Sequence, residues 1–272
     1  MPAEQNTDTN GIHATQHNGL RKVVEDGGVG LGVLDDLYSP EMVEIYGDLG
    51  FDFVWHDLEH AGPSPRDADA IGNLLRAADA GGTELLIRIP TPDPATVRKT
   101  LDTGVRNLFV SHIETAEQVR QVVEAARFNY DGEPGKRGLA NPRASRWGRA
   151  DDYIATEDRE TFIGITIEEP QTVDQIDEIL RVPELGFVFL GPLDLSVAIG
   201  HPGKFDHPDV QEAVSTVVSA ARESDVVIGG LGFGEDDVAE KIDTGYQILH
   251  VGSTTGAAAQ TLESWPTQFG DG

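Results

Sequence analysis

Eight short apolar runs, separated by segments of helical period or polar loops, constrain this chain more than any other feature. They lie at residues 29–34, 51–55, 84–89, 107–110, 162–167, 186–190, 226–228 and 247–251. Each is apolar without polar alternation, as a strand buried on both faces of a parallel sheet is. Helical patterns fill the intervals at 40–49, 68–80, 94–103, 116–126, 173–180, 208–224 and 235–244. Ser39, Asp93 and His207 each precede a proline, which at the first helical turn sacrifices no hydrogen bond. Eight such alternations in 272 residues predict an α/β fold, a single-domain (β/α)8 TIM barrel. An open doubly wound sheet is disfavoured because no Gly-x-Gly-x-x-Gly follows the first run. Residues 1–20 are polar and are expected to form a disordered arm, leaving 21–272 as the barrel domain with a short C-terminal helix.

In such a barrel, chemistry is expected at the C-terminal strand ends. The second run passes into Asp57, Glu59 and His60, the third ends on Arg88, the fifth on Glu168 and Glu169, and the sixth on Gly191, Pro192, Leu193 and Asp194. Each ending has a structural alternative. Asp57, Glu59 and His60 could cap a helix opening near Pro63 and Ser64, Arg88 could pair with an internal carboxylate, Glu169 could cap the helix after Pro170, and Asp194 could sit in a turn. All four alternatives together are disfavoured, because charges in a barrel mouth are costly unless paired or metal-bound.

Glu168 and Asp194, carboxylates from neighbouring strand ends with no His or Cys adjoining, suit a hard divalent ion such as Mg or Mn. Such a site would take the keto and carboxylate oxygens of a 2-oxo acid and stabilise its enolate, with Arg88 adding positive charge. None of the five lysines falls at a predicted strand end, which disfavours a Schiff-base aldolase. Gly191 and Pro192 could turn backbone N–H groups near Leu193 and Asp194 toward a substrate carboxylate.

Composition narrows the partners. Lys+Arg number 20 against 47 Asp+Glu, a net charge of −27 that repels nucleic acid and anionic membranes. So acidic and Lys-poor a surface predicts a salt-dependent, halophilic protein, because concentrated salt screens the self-repulsion. The absence of cysteine excludes disulfides, thiolate metal sites and a Cys nucleophile. No apolar stretch reaches the roughly 18 residues of a membrane helix and the first 18 residues hold no apolar signal core, so a cytoplasmic location is expected. Within 128–152, Arg137, Arg143, Arg146 and Arg149 either bind an anionic ligand or form a salt-bridge hub.

An ordered set of motifs, DLEHAGPS at 57–64, Arg88, LDTG at 101–104, GKRG at 135–138, RASRWG at 143–148, TIE at 166–168 and GPLDLS at 191–196, resembles the HpcH/HpaI aldolase family. These are metal-dependent (class II) pyruvate aldolases on a (β/α)8 barrel, and the resemblance runs from about residue 30 to 255. It implies Glu168 and Asp194 as metal ligands, Arg88 as the group holding pyruvate and its enolate, and His60 as the acid/base paired with Asp102. The implied reaction cleaves a 4-hydroxy-2-oxo acid, derived from a sugar acid or an aromatic compound, to pyruvate and an aldehyde. Mg or Mn is the implied cofactor, with Co a further candidate, and hexamers built from dimers that exchange the C-terminal helix are the implied assembly.

Asp57 then becomes a group holding metal-bound water, while Glu59 lies near the site without an assigned role. Thr166 stands where the family often has Gln, and Leu58 and Leu193 stand where smaller residues are frequent, so the substrate is less constrained than the chemistry. His112, His201, His207 and His250 are expected in turn, cap or core roles. Two rival readings are a CoA-ester lyase of the citrate lyase β-subunit type and a non-catalytic, metal-dependent binder of oxo acids.

Overall fold

A computed structural model describes residues 17–270. Eight parallel strands close on themselves: β1 Gly30–Leu34, β2 Phe53–Asp57, β3 Glu84–Ile89, β4 Asn107–Val110, β5 Phe162–Ile167, β6 Phe187–Leu190, β7 Val227–Leu231 and β8 Tyr246–Ser253, with β8 paired to β1. The expected barrel and all eight of its strands are therefore present. Helices run back along its outside, among them α2 Pro40–Asp48, α3 Ala68–Gly81, α4 Pro94–Asp102, α5 Ala116–Ala126, α10 Pro208–Arg222 and α11 Glu235–Asp243. Ser39, Asp93 and His207 accept backbone N–H bonds at the starts of α2, α4 and α10, as caps that satisfy otherwise orphaned donors. No helix among the described residues is long and apolar enough to cross a membrane.

The barrel interior is a ring of aromatics: Phe53, Trp55, Phe109, Phe162, Phe187 and Phe189 form one buried cluster with Leu86 and Ile248. Glycines at inward positions make room for them. A Cβ at Gly32 or Gly164 would lie 2.3 Å from the ring of Phe53 or Phe187, and one at Gly229 would lie 2.7 Å from Phe189, so the neighbouring strand fills each gap.

Several boundaries differ from the sequence expectation. The expected arm falls mostly on residues 1–16, which lie outside the described residues. Its last residues begin helix α1, Gly19–Glu25, whose Leu20 and Val24 join the interior cluster and plug the N-terminal end of the barrel. Asn18 caps α1 and holds it to the barrel through Asn107 (2.7 Å) and the Glu160 carbonyl (2.9 Å). Strand β2 starts at Phe53 and carries on through His56 and Asp57. Pro63 and Ser64 lie in a loop, and α3 begins at Ala68 on an Asp67 cap. The helix expected at 173–180 is broken at Gln175 into α7 Pro170–Asp174 and α8 Ile176–Ile179.

The segment 128–152 wraps the N-terminal end of the barrel and leads into α6, Tyr153–Glu160. Buried Glu157 of α6 accepts from Arg106 (2.8 Å) and Arg137 (3.3 Å), and Arg137 stacks over Phe128, 4.9 Å from its centroid. Arg143 bridges to Asp79 at 2.7 Å and to the Thr103 carbonyl at 3.3 Å. For Arg137 and Arg143, the salt-bridge hub is the role observed.

Candidate active site

The strand register fixes the mouth. Asp57 at the end of β2 is paired with Arg88 of β3, and both side chains turn inward above Trp55. Arg88 Nε donates to Asp57 Oδ1 at 2.8 Å and Nη2 to Oδ2 at 2.5 Å, a bidentate pair. Its Nη1 lies 3.0 Å from Glu59 Oε2. Burial works to raise the Asp57 carboxyl, but the hydrogen bonds and charge of Arg88, with the Glu59 N–H, together outweigh it and hold the group below the ordinary carboxylate range. The structural alternative for Arg88, pairing with an internal carboxylate, is thus realised within the same mouth. Glu59 also accepts from Ser111 Oγ at 2.7 Å, and Ser111 Oγ lies 3.4 Å from Thr166 Oγ1.

Glu168, one residue past β5, is 2% exposed. Burial pushes its carboxyl above the usual range against the pull of the His112 N–H, 2.7 Å away, and the nearby Glu59 charge adds to the rise. A Cβ on Gly191 would sit 3.6 Å from Glu168 Cβ, 3.8 Å from its Oε2 and 3.2 Å from Thr166 Cγ2. The missing side chain therefore leaves a gap beside the carboxylate. That gap, and the carboxylates of Asp57, Glu59 and Glu168 gathered in the field of one guanidinium, fit a divalent cation at Glu168.

The sequence-derived residues are not all brought together. Gly191 caps the seven-residue helix α9, Pro192–Ala198, with Leu193 and Asp194 exposed in its first turn. His60 stands at the rim, its ring 60% exposed and 3.9 Å from Glu59. Asp102 is elsewhere: α4 runs antiparallel to the strands, so its last residue lies at the N-terminal end of the barrel, where the Asp102 carbonyl accepts from Ala144 N. Burial raises its carboxyl, opposed by Arg137, Lys99 and Arg98. The His60–Asp102 pairing is therefore not made within the described chain. Glu169 occupies the cap position of α7 without a side-chain capping bond.

His112 corrects the sequence reading most clearly. Expected in a turn, cap or core role, it stands in the mouth with Nε2 2.9 Å from Glu59 Oε1 and Nδ1 3.6 Å from Glu168 Oε1. Its position just beyond β4, at the same barrel end as the other groups, was the signal available. His207 caps α10 as expected, and His250 lies against Trp55 in the interior.

Residues 35–261 match the HpcH/HpaI aldolase/citrate lyase family. The chain belongs to this family. A 2-keto-3-deoxy-L-rhamnonate aldolase of Escherichia coli (strain K12) is 30% identical over 261 residues, 96% of each chain. A 5-keto-4-deoxy-D-glucarate aldolase of Klebsiella pneumoniae is 32% identical over 242 residues, 89% of this chain and 92% of that one. The crystal structure of an HpcH/HpaI aldolase/citrate lyase family protein from Burkholderia cenocepacia J2315 superposes with a TM-score of 0.84 at 28% identity, covering 92% of this chain and 98% of that one. Like the aldolases of the family, the chain is a carbon–carbon lyase.

Proposed function

We propose that this protein is a divalent-metal-dependent aldolase that reversibly cleaves a sugar-acid-derived 4-hydroxy-2-oxo acid to pyruvate and an aldehyde. The observation that carries the reading is Glu168, a buried carboxylate beside the side-chain gap of Gly191 and within the field of Arg88. The sugar-acid class is favoured over an aromatic-degradation product because the relatives matched above are aldolases of deoxy-keto sugar acids.

Glu168 and Asp194 would hold the cation, with Mg or Mn the sequence-based choice. Bound there, it supplies a Lewis acid for the keto and carboxylate oxygens of the oxo acid. Arg88 has three of its five N–H donors engaged by Asp57 and Glu59, so two remain to hold the substrate carboxylate or the charge that develops on the keto oxygen. Asp57 and Glu59 keep the guanidinium aimed at that point. Asp57 would also hold a water on the cation. Thr166, shorter than Gln, leaves room beside the pyruvate half, and the first turn of α9 from Gly191 to Asp194 borders its carboxylate. His60, exposed at the rim, would take the proton from the 4-hydroxyl in cleavage and return it in the reverse addition.

For the assembly, we propose a homo-oligomer, with dimers formed by exchange of the C-terminal helices. Leu262, Trp265 and Phe269 in α12 Thr254–Leu262 and α13 Ser264–Phe269 support this, since all three are exposed on the single chain.

The test follows exchange of pyruvate methyl protons with deuterated water in the presence of Mg(II) or Mn(II). Glu168→Gln and Asp194→Asn are each expected to abolish it, and exchange persisting in both variants overturns the metal assignment. Pyruvate release from a free 4-hydroxy-2-oxo acid, with no response to CoA esters, separates the aldolase from a CoA-ester lyase. A binder without turnover would show neither.

A further inference from the structure

Tyr38 stands behind the turn that carries His60. It lies between β1 and α2 with a φ of 53°, in the left-handed region that a bulky aromatic residue keeps only where its surroundings hold it there. Asp35 supplies that hold. Its buried carboxylate accepts the main-chain N–H groups of Leu37 at 3.2 Å and Ser39 at 2.7 Å, the two neighbours of Tyr38. It is tied in turn to Thr254 Oγ1 at 3.1 Å and to His56 Nε2 at 3.2 Å, so the loop is fixed to β2 and to the start of α12.

Tyr38 passes this rigidity toward the mouth. Its hydroxyl donates to the Asp57 carbonyl at 2.6 Å, at the end of β2, and its ring lies against His56 with centroids 5.7 Å apart. A Cβ on Gly62, whose φ is 77°, would lie 2.3 Å from the same ring, so the turn rests its bare backbone on Tyr38. Beyond Glu59 little else supports it. Residues 60–63 make no hydrogen bond among the described residues, and His60 comes no nearer than 3.9 Å to Glu59. Arg88 within β3 and Glu168 just past β5 are carried by strands, not by this turn.

We propose that Tyr38, locked by Asp35, is a positioning residue for carbon–carbon bond cleavage, acting through the turn 58–62 to hold His60 at the 4-hydroxyl. This rests on the role given to His60 above. The step that needs His60 then depends on Tyr38, whereas enolate formation from pyruvate, which involves no 4-hydroxyl, depends on it far less.

The test uses the full chain with Mg(II). Because the sequence holds no cysteine, Ala61→Cys places a single nitroxide label on the turn. Its EPR spectrum should show restricted motion in the parent, freer motion in Tyr38→Gly, and restriction again in Tyr38→Phe, which keeps the ring. Glycine accepts the positive φ, and Tyr38→Asn takes its place if the glycine variant is not folded by circular dichroism. Unlabelled proteins are assayed well below their unfolding midpoints with the aldol adduct of pyruvate and glycolaldehyde. In Tyr38→Gly, kcat for cleavage should fall at least ~10-fold, while KM and the rate of methyl-proton exchange each change by less than about threefold. Tyr38→Phe should recover most of the lost kcat. Gly62→Ala should slow cleavage by a larger factor in the parent than in Tyr38→Gly, where the ring it collides with is gone.

Unchanged label motion in Tyr38→Gly, cleavage and exchange falling together, no recovery in Tyr38→Phe, or equal costs of Gly62→Ala in the two backgrounds overturns the proposal. If the parent cleaves the adduct and Tyr38→Gly cleaves it equally well, the aldolase reading stands and the Tyr38 proposal fails. If the parent shows neither cleavage nor exchange, the aldolase reading fails. A label loosened in Tyr38→Gly then still supports Tyr38 as the prop of the turn, and an unmoved one overturns it.

Discussion

His250 shows how a single side chain can set an acid limit. Its ring packs edge-on against Trp55 with centroids 5.3 Å apart, and no side chain pairs with either ring nitrogen among the described residues. Burial pulls its pKa down from 6.5 to about 4. The folded chain therefore resists a proton that the unfolded chain accepts. Between those two values the unfolded state binds more protons, so stability falls as the pH drops from 6.5 toward 4. At ~1.4 kcal/mol per pKa unit, a shift of this size bounds the loss at about 3 kcal/mol. Denaturant unfolding measured from pH 7 to pH 4 should show this slope in the native sequence and a shallower one in His250→Leu; equal slopes would remove His250 as the cause. At the same scale, Asp57, Arg88 and Glu168 were legible because each interrupts or ends an apolar run. The place of His112 in the mouth was not, because it depends on backbone handedness after β4, which a histidine in a loop does not announce. The His60–Asp102 pairing was carried by resemblance alone, and the direction of α4 separates the two residues within the chain.

Among the elements, the eight strands could be read because apolar runs and capped helices alternate without ambiguity. Strand β2 was cut short at Trp55 because His56 and Asp57 look like its end, yet His56 faces outward to a buried Asp35 at 3.2 Å and Asp57 faces the mouth, so pairing with β3 continues. Helix α1 was lost for a different reason. Its seven residues carry too little apolar periodicity to stand out, and its stability comes from docking into the barrel end. Leu20 is fully buried there. Leu20→Ala should lower the unfolding free energy by ~2–5 kcal/mol, read from the denaturant midpoint. A loss under about 0.5 kcal/mol, the level of an ordinary surface change, would mean that the plug contributes little.

For the whole molecule, a net charge of −27 is the dominant long-range term. Self-repulsion acts over about 10 Å at 0.1 M salt and about 3 Å at 1 M, so raising salt should relieve it. The thermal midpoint is expected to rise between dilute and molar NaCl, and to rise similarly in KCl, since screening does not depend on which monovalent cation supplies it. A midpoint unmoved by either salt would mean that local ion pairs, such as those of Arg120 with Glu117 and Arg143 with Asp79, already balance the surface.

The alternation of inward glycines with rings from the next strand carries a further consequence, for how such a barrel can change. Gly32 with Phe53, Gly164 with Phe187 and Gly229 with Phe189 each divide one allotment of volume between two adjacent strands. Enlarging one member collides with the other, and shrinking the ring alone opens a void. Sequence drift in this interior should therefore proceed by reciprocal exchanges across a strand pair. A redesign that reshapes the space beneath the mouth has to substitute both partners together.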